Sequence, residues 1–326
     1  MELRKDPITR SWVVVGHPEK VEPLIEGCPL CPGHEQEQKT LLMRPETGEW
    51  QVRVMPHVDP LYRIEGEVGR EAEGIYDRMG LVGADEIIVE TPVHNRRLSQ
   101  LSDEEIEGVL AVYAQRIADL KRDRRFKYVT VYRNQGAVAG AEWSHAHSQV
   151  SATTFVPRRL LYELRAAKMW YQQKERCVFC DILRQEEKFG KRVVDAQGDY
   201  LAFCPYASRV PYETWMMSRR HNHLFETPKP GANRRQLAGL LGRTLRRLEQ
   251  VTQDYHMVLH TSPNTDSYKG EIADYWTTIA EDYHWHIEIL PIVERRSKSY
   301  NLKEVYFNPL GPEAAAEVLR GMAASG

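Results

Sequence analysis

Residues 144–149 read SHAHSQ, which sets His145 and His147 one residue apart and ends the alternation on Gln149. On an extended strand these three side chains project to one face. They would line up an imidazole that can be held, an imidazole that can react and an amide that does not titrate. A neutral imidazole attacks phosphorus well, and a covalent histidyl intermediate divides one difficult displacement into two easier ones. Gln149 can donate hydrogen bonds to phosphoryl oxygens as charge develops on them. Upstream lie Asn134-Gln135-Gly136 and then Ala139-Gly140-Ala141. The small residues Gly136, Gly140 and Ala141 let backbone N–H groups approach a bound phosphate closely. The expected roles are nucleophile for His147, phosphoryl contact for Gln149 and phosphate loop for the run before them.

Four of the five cysteines form two pairs, Cys28-x-x-Cys31 and Cys177-x-x-Cys180. In a reducing compartment that spacing indicates a metal before a disulfide. Each pair is followed by a lone histidine, His94 or His221, and then by an H-x-H pair, His145/His147 or His284/His286. Two thiolates and two imidazoles suit tetrahedral Zn2+. The expected sites are Cys28, Cys31, His94 and His145, and Cys177, Cys180, His221 and His284. Four protein ligands leave no open position for water, so both zinc ions are expected to be architectural. Cys204 is expected as a small buried apolar residue.

The elements that must carry these groups alternate. Residues 127–133 and 284–293 read as strands, with shorter ones at WVVV and DEIIVE. Ser102 and Glu105 form a capping box opening a helix to about Arg122, and further helices are expected at about 157–175, 233–252 and 312–323. The landmarks CxxC, an apolar run ending in proline, a lone histidine and HxH occur twice in one order. The first copy is longer by an insertion of about 22 residues near 62–84. The fold expected is α+β with two related domains, each an antiparallel sheet with packed helices, at 1–160 and 161–326.

The chain has 326 residues, 42% hydrophobic and 28% charged, with a formal charge of −2. That is enough for real cores, and mixed charges of near-zero sum argue against a nucleic-acid or membrane surface. Without an apolar leader or spanning run, a soluble cytoplasmic protein is expected.

N-x-G-x-x-A-G-A followed by H-x-H-x-Q, with LRKDPITRSWVVV, FCPYASRVPYETWMMSRRH and YHWHIEILP elsewhere, resembles the galactose-1-phosphate uridylyltransferase family. This is the transferase branch of the histidine-triad superfamily and includes ADP-sugar phosphorylases. The resemblance spans nearly the whole chain. It implies two histidine-triad-like domains in a homodimer and a role in galactose or wider carbohydrate metabolism. It also implies nucleotidyl exchange between a nucleoside diphosphate sugar and a sugar 1-phosphate through a nucleotidyl-histidine at His147. Asn134 then matches the asparagine of the phosphate loop. Gln149 stands where hydrolase branches carry histidine. The alternatives are an ADP-sugar phosphorylase, a nucleotide hydrolase and a zinc-stabilised binding protein without catalysis.

The chain departs from the family pattern at four places. GHPEKVEP, with Glu19 and Glu22, replaces a basic cluster. Glu142 replaces a serine that contacts phosphate. His57 stands where an asparagine binds the nucleoside, and Asn301 where members handling hexose phosphates place a glutamate.

Overall fold

Short apolar runs separated by turn residues make short strands, and this chain has many. The computed structural model describes residues 1–16, 27–35, 39–268, 276–293 and 305–324. In chain order the strands of the first half are β1 (Glu2–Lys5), β2 (Trp12–Val15), β3 (Leu42–Arg44), β4 (Val52–Pro56), β5 (Glu71–Glu73), β6 (Tyr76–Met79) and β7 (Gly83–Val89). Helix α1 (Asp103–Leu120), β8 (Tyr128–Gln135), β9 (His147–Thr153), α2 (Arg158–Lys174) and α3 (Val178–Phe189) follow. Then come β10 (Val193–Gln197), β11 (Tyr200–Phe203), β12 (Thr214–Ser218), α4 (Arg234–Leu248), β13 (Tyr255–His260), α5 (Ile279–Asp282), β14 (His286–Pro291) and α6 (Pro312–Gly321).

Ten strands form one antiparallel sheet in the order β10-β11-β12-β14-β13-β8-β9-β7-β4-β3. The two halves meet where β13 pairs with β8, Tyr255 opposite Gln135 and Leu259 opposite Val131. Outward from that seam the strands match, β13 with β8, β14 with β9, β12 with β7 and β11 with β4. The insertion near 62–84 supplies β5 and β6, and β6 pairs with β1 to build a separate sheet, β2-β1-β6-β5.

Alternation along each strand sends side chains to opposite faces. One face carries Val54, Ile88, Val150, Ala152, Met216, Ile287 and Ile289, packed against α1, α4 and α6 through Leu110, Ile117, Leu241, Leu245 and Ala316. The expected capping box is present: Glu105 N donates to Ser102 Oγ and Ser102 N to Glu105 Oε2, a pairing worth about 1 kcal/mol. Burying each such leucine contributes roughly 1.5–3 kcal/mol, so this face fixes the sheet.

The other face differs between the halves. In the second, α2 and α3 cover it, with Leu160, Leu164, Phe179 and Leu183 on Leu201, Phe203 and Met217. In the first, a small cluster of Leu30, Trp50, Met55, Ile87 and Val89 lies under the Cys28–Cys31 loop, and the remainder is open to a cavity. His147 and Gln149 project to this face.

Candidate functional site

Strand β9 begins at His147 rather than at His145 as expected. Although Glu90 N still donates to Ala146 O (3.1 Å), His145 is turned away: Nδ1 faces Cys31 Sγ at 3.6 Å and Cys28 Sγ at 3.8 Å, and Nε2 donates to Thr91 O at 2.7 Å. His94 Nδ1 lies 3.3 Å from Cys31 Sγ, and His94 Nε2 bonds Ser144 Oγ at 3.0 Å. The structure brings Cys28, Cys31, His94 and His145 together with donor atoms within 4.8 Å of one another, and does the same for Cys177, Cys180, His221 and His284. In the second set Cys180 Sγ is 3.3 Å from His221 Nδ1 and 3.6 Å from His284 Nδ1, with His221 Nε2 donating to Ala280 O at 2.8 Å.

Both donor sets fit a tetrahedral metal. Bonds of about 2.3 Å to sulfur and 2.0 Å to nitrogen give a sulfur-to-nitrogen edge of about 3.5 Å. The five distances above lie around that value. Carbonyl acceptors on the far ring nitrogens of His145 and His221 fix the tautomer that leaves Nδ1 bare and turned inward, and Ser144 Oγ meets the far nitrogen of His94. The neighbouring Cys177 and then His221 and His284 favour the thiolate at Cys180 in spite of burial.

His147 is 3% exposed and lines a cavity of about 270 Å3 together with Asn134, Gly136, Ala141, Trp143 and Arg97. Its Nδ1 is 2.7 Å from His145 O. A carbonyl can only accept, so Nδ1 carries the proton and Nε2 keeps its lone pair. Burial holds the imidazole below its ordinary pKa, partly offset by that same hydrogen bond. Arg133 Nη1 donates to His147 O at 2.9 Å and pairs with buried Glu90, which anchors the start of β9. The ring of Trp143 meets His147 edge-on, centroids 5.3 Å apart.

The loop over the cavity is tied to the second half. Gly136 has φ +84°, and a Cβ there would lie 2.2 Å from Asp254 Oδ1, an atom that accepts from Val138 N at 3.0 Å. Asn134 Oδ1 accepts from His256 Nδ1 at 2.9 Å. Gly140, at φ +78°, closes the turn with N donating to Ala137 O, but does not line the cavity.

Gln149 and His57 converge on Glu142 rather than on the cavity floor. Gln149 Nε2 donates to Glu142 Oε1 at 3.3 Å, and Tyr132 Oη donates to Gln149 Oε1. His57 Nε2 lies 3.4 Å from the same Glu142 oxygen, while Asp59 N donates to His57 Nδ1 at 3.1 Å. The His57 contact outweighs partial burial and holds Glu142 below the usual carboxylate range. Asn301 lies outside the described residues, as do Glu19 and Glu22.

The second half repeats this geometry with different contents. His286 Nδ1 is 3.1 Å from His284 O, and the ladder sets His286 and Glu288 on β14 where β9 has His147 and Gln149. His286 is stacked between Trp215 and Phe179, each centroid 5.1 Å away, and burial pushes it down to about 4. Glu163, His260, His286 and Glu288 form a third donor group within 4.8 Å. Its carboxylates are already balanced: Glu288 meets Arg209 at 2.7 Å and Arg159 at 3.0 Å, and Glu163 meets His260 at 2.8 Å. The sequence signal for part of it was HWHIE, the counterpart of HAHSQ; Glu163 and His260 have no spacing that marks them.

Residues 17–157 match the family described as galactose-1-phosphate uridyl transferase, N-terminal domain. An ADP-glucose phosphorylase of Arabidopsis thaliana is 28% identical, over 98% of this chain and 92% of its own. A galactose-1-phosphate uridylyltransferase of Thermotoga maritima is 27% identical over 98% of both chains. The crystal structure of an ADP-glucose phosphorylase from Arabidopsis thaliana with bound ADP-glucose superposes with a TM-score of 0.77 at 26% identity, over 99% of this chain and all of that one.

Proposed function

From the premise that this chain is a relative of the galactose-1-phosphate uridylyltransferase family, we propose that it is a nucleotidyltransferase working through a nucleotidyl-histidine at His147. The observation that carries the reading is the bond from His147 Nδ1 to His145 O at 2.7 Å inside the cavity. It leaves Nε2 bare at the place where a phosphoryl group could enter. Nε2 would attack the α-phosphorus of a nucleoside diphosphate sugar. The N–P bond forms as the bond to the sugar 1-phosphate breaks, and that phosphate leaves with the electron pair. A phosphate oxygen of the second acceptor then attacks the same phosphorus and releases Nε2. The amide of Gln149, and those N–H groups of the Gly136–Ala141 loop other than Val138, Gly140 and Ala141, which are bonded to Asp254 Oδ1, Ala137 O and Gly136 O, would meet the charge on the transferring group.

Cys28, Cys31, His94 and His145, and Cys177, Cys180, His221 and His284, would each hold a zinc ion that serves as a brace. The first brace fixes His145, whose carbonyl sets the tautomer of His147. In this reading residues 1–160 are the reactive unit, 161–326 the supporting one, and the protein acts as a homodimer. A second reading, an ADP-sugar phosphorylase in which inorganic phosphate is the acceptor, is supported by the similarity to the plant phosphorylase. It differs from the first only in the acceptor.

The test is intact-mass analysis after incubation with UDP-glucose or ADP-glucose. Wild type should gain the mass of a nucleoside monophosphate, and inorganic phosphate or galactose 1-phosphate should remove it. His147→Ala should show no gain while keeping its zinc and its thermal midpoint. An adduct that survives in His147→Ala would exclude His147 as the nucleophile.

A further inference from the structure

Two places where the chain departs from its family pattern, His57 and Glu142, are each other's partner. Glu142 Oε1 accepts from Gln149 Nε2 at 3.3 Å and lies 3.4 Å from His57 Nε2. Because Asp59 N donates to His57 Nδ1, that nitrogen keeps its lone pair and Nε2 carries the proton toward Glu142. The Tyr132 hydroxyl donates to Gln149 Oε1, and turning the amide over would set its oxygen against the Glu142 carboxylate and lose that hydrogen bond. Two donors, the Gln149 amide and His57 Nε2, therefore hold one carboxylate on the amide group assigned above to the phosphoryl oxygens. The Glu142 side chain is 45% exposed and follows Gly140-Ala141, with Gly140 at φ +78°, so it can leave without disturbing the core.

We infer that Glu142 is a specificity-determining residue that occupies the phosphoryl contact of Gln149 as an internal anion, so that an incoming phosphoryl group binds only by displacing it. This rests on the reading of His147 and Gln149 as the phosphoryl site. The consequence is a site that discriminates by what a ligand offers beyond its phosphate. A like charge a few Å from the binding position opposes any anion. A bare phosphate or nucleoside monophosphate meets that opposition with little to offset it, whereas a nucleoside diphosphate sugar adds contacts elsewhere in the pocket. The two departures therefore form one device: His57 holds the carboxylate that a serine at residue 142 would not supply.

The test is calorimetric binding of UMP and AMP to the full-length protein. Variants Glu142→Gln and Glu142→Ser, checked for wild-type zinc content and thermal midpoint, should bind at least one of the two probes about tenfold or more tighter than wild type. In a Gln149→Ala background the same substitutions should give a clearly smaller gain, because the contact being freed is gone and only the repulsion by Glu142 is relieved. Equal or weaker binding in both single variants would overturn the inference and make Glu142 a ligand-binding group. An unreduced gain in the Gln149→Ala background would overturn it too, showing a diffuse charge effect. The adduct assay reads His147 separately. Glu142 variants that form a normal adduct without a gain in monophosphate affinity defeat this inference alone, and absence of adduct in every variant defeats the reading beneath it.

Discussion

An imidazole serves as a nucleophile only when the right nitrogen is bare, and here a main-chain carbonyl decides which one that is. His145 is held by its sulfur neighbours and by Thr91 O, so its own carbonyl is a fixed acceptor for His147 Nδ1. Burial then opposes protonation of Nε2 and lowers the pKa from its ordinary 6.5. The sign follows directly. A lowered pKa means that the neutral ring predominates at pH 7, so the single-turnover rate of adduct formation should change little from about pH 7 upward. It should decline only as the pH falls below 6.5 and passes through the lowered value. Rapid-quench mass spectrometry between pH 5 and 8 measures this. A rate already halved at pH 7 would mean a ring in contact with solvent or a carboxylate, contrary to its 3% exposure.

The loop from Gly136 to Ala141 shows how one element serves the other half's chemistry. Asp254, just ahead of β13, leaves no room for a side chain at residue 136 and holds Val138 N. Gly136→Ala combines that contact with a left-handed φ, and should cost about 1–3 kcal/mol in denaturant unfolding. A neutral result would show that the loop is not clamped. That the loop is rich in small residues was legible in the sequence; that the clamp comes from residue 254 was not, because the pair is 116 residues apart in the chain. Helix α1 was legible from Ser102 and Glu105, and α2, α4 and α6 from their composition. Helix α3 was not, since Cys180 lies in its first turn and a CxxC pair reads as a loop. Strands β5 and β6, with EAE and YDRM, lack the apolar alternation that marks a strand; β6 pairs with the edge of β1 and β5 with β6.

At the scale of the whole molecule, one scaffold is used twice with opposite results. Both halves set an H-x-H pair beside a Cys2His2 cluster and bond the second histidine's Nδ1 to the first one's carbonyl. In the second half α2 and α3 close over the sheet, Trp215 and Phe179 sandwich His286, and Glu288 takes the place of Gln149. His147 lines a cavity whereas His286 is enclosed by aromatic rings, so disrupting the two Cys2His2 donor sets should have different effects. Cys177→Ser should lose about one zinc of two per chain and, because His284 and its neighbours are buried, several kcal/mol of stability. Molecules that remain folded should still form the His147 adduct within about threefold of the wild-type rate, since that cluster supports a covered site. Cys31→Ser should lose the other zinc and also slow adduct formation by about tenfold or more, because it frees His145, whose carbonyl holds the proton on His147 Nδ1. Metal content by mass spectrometry, denaturant unfolding and adduct rate on the same samples separate these effects. If Cys177→Ser stops adduct formation as completely as Cys31→Ser, the seam between β13 and β8 transmits far more than backbone pairing, and the second half would have to be counted as part of the reactive site.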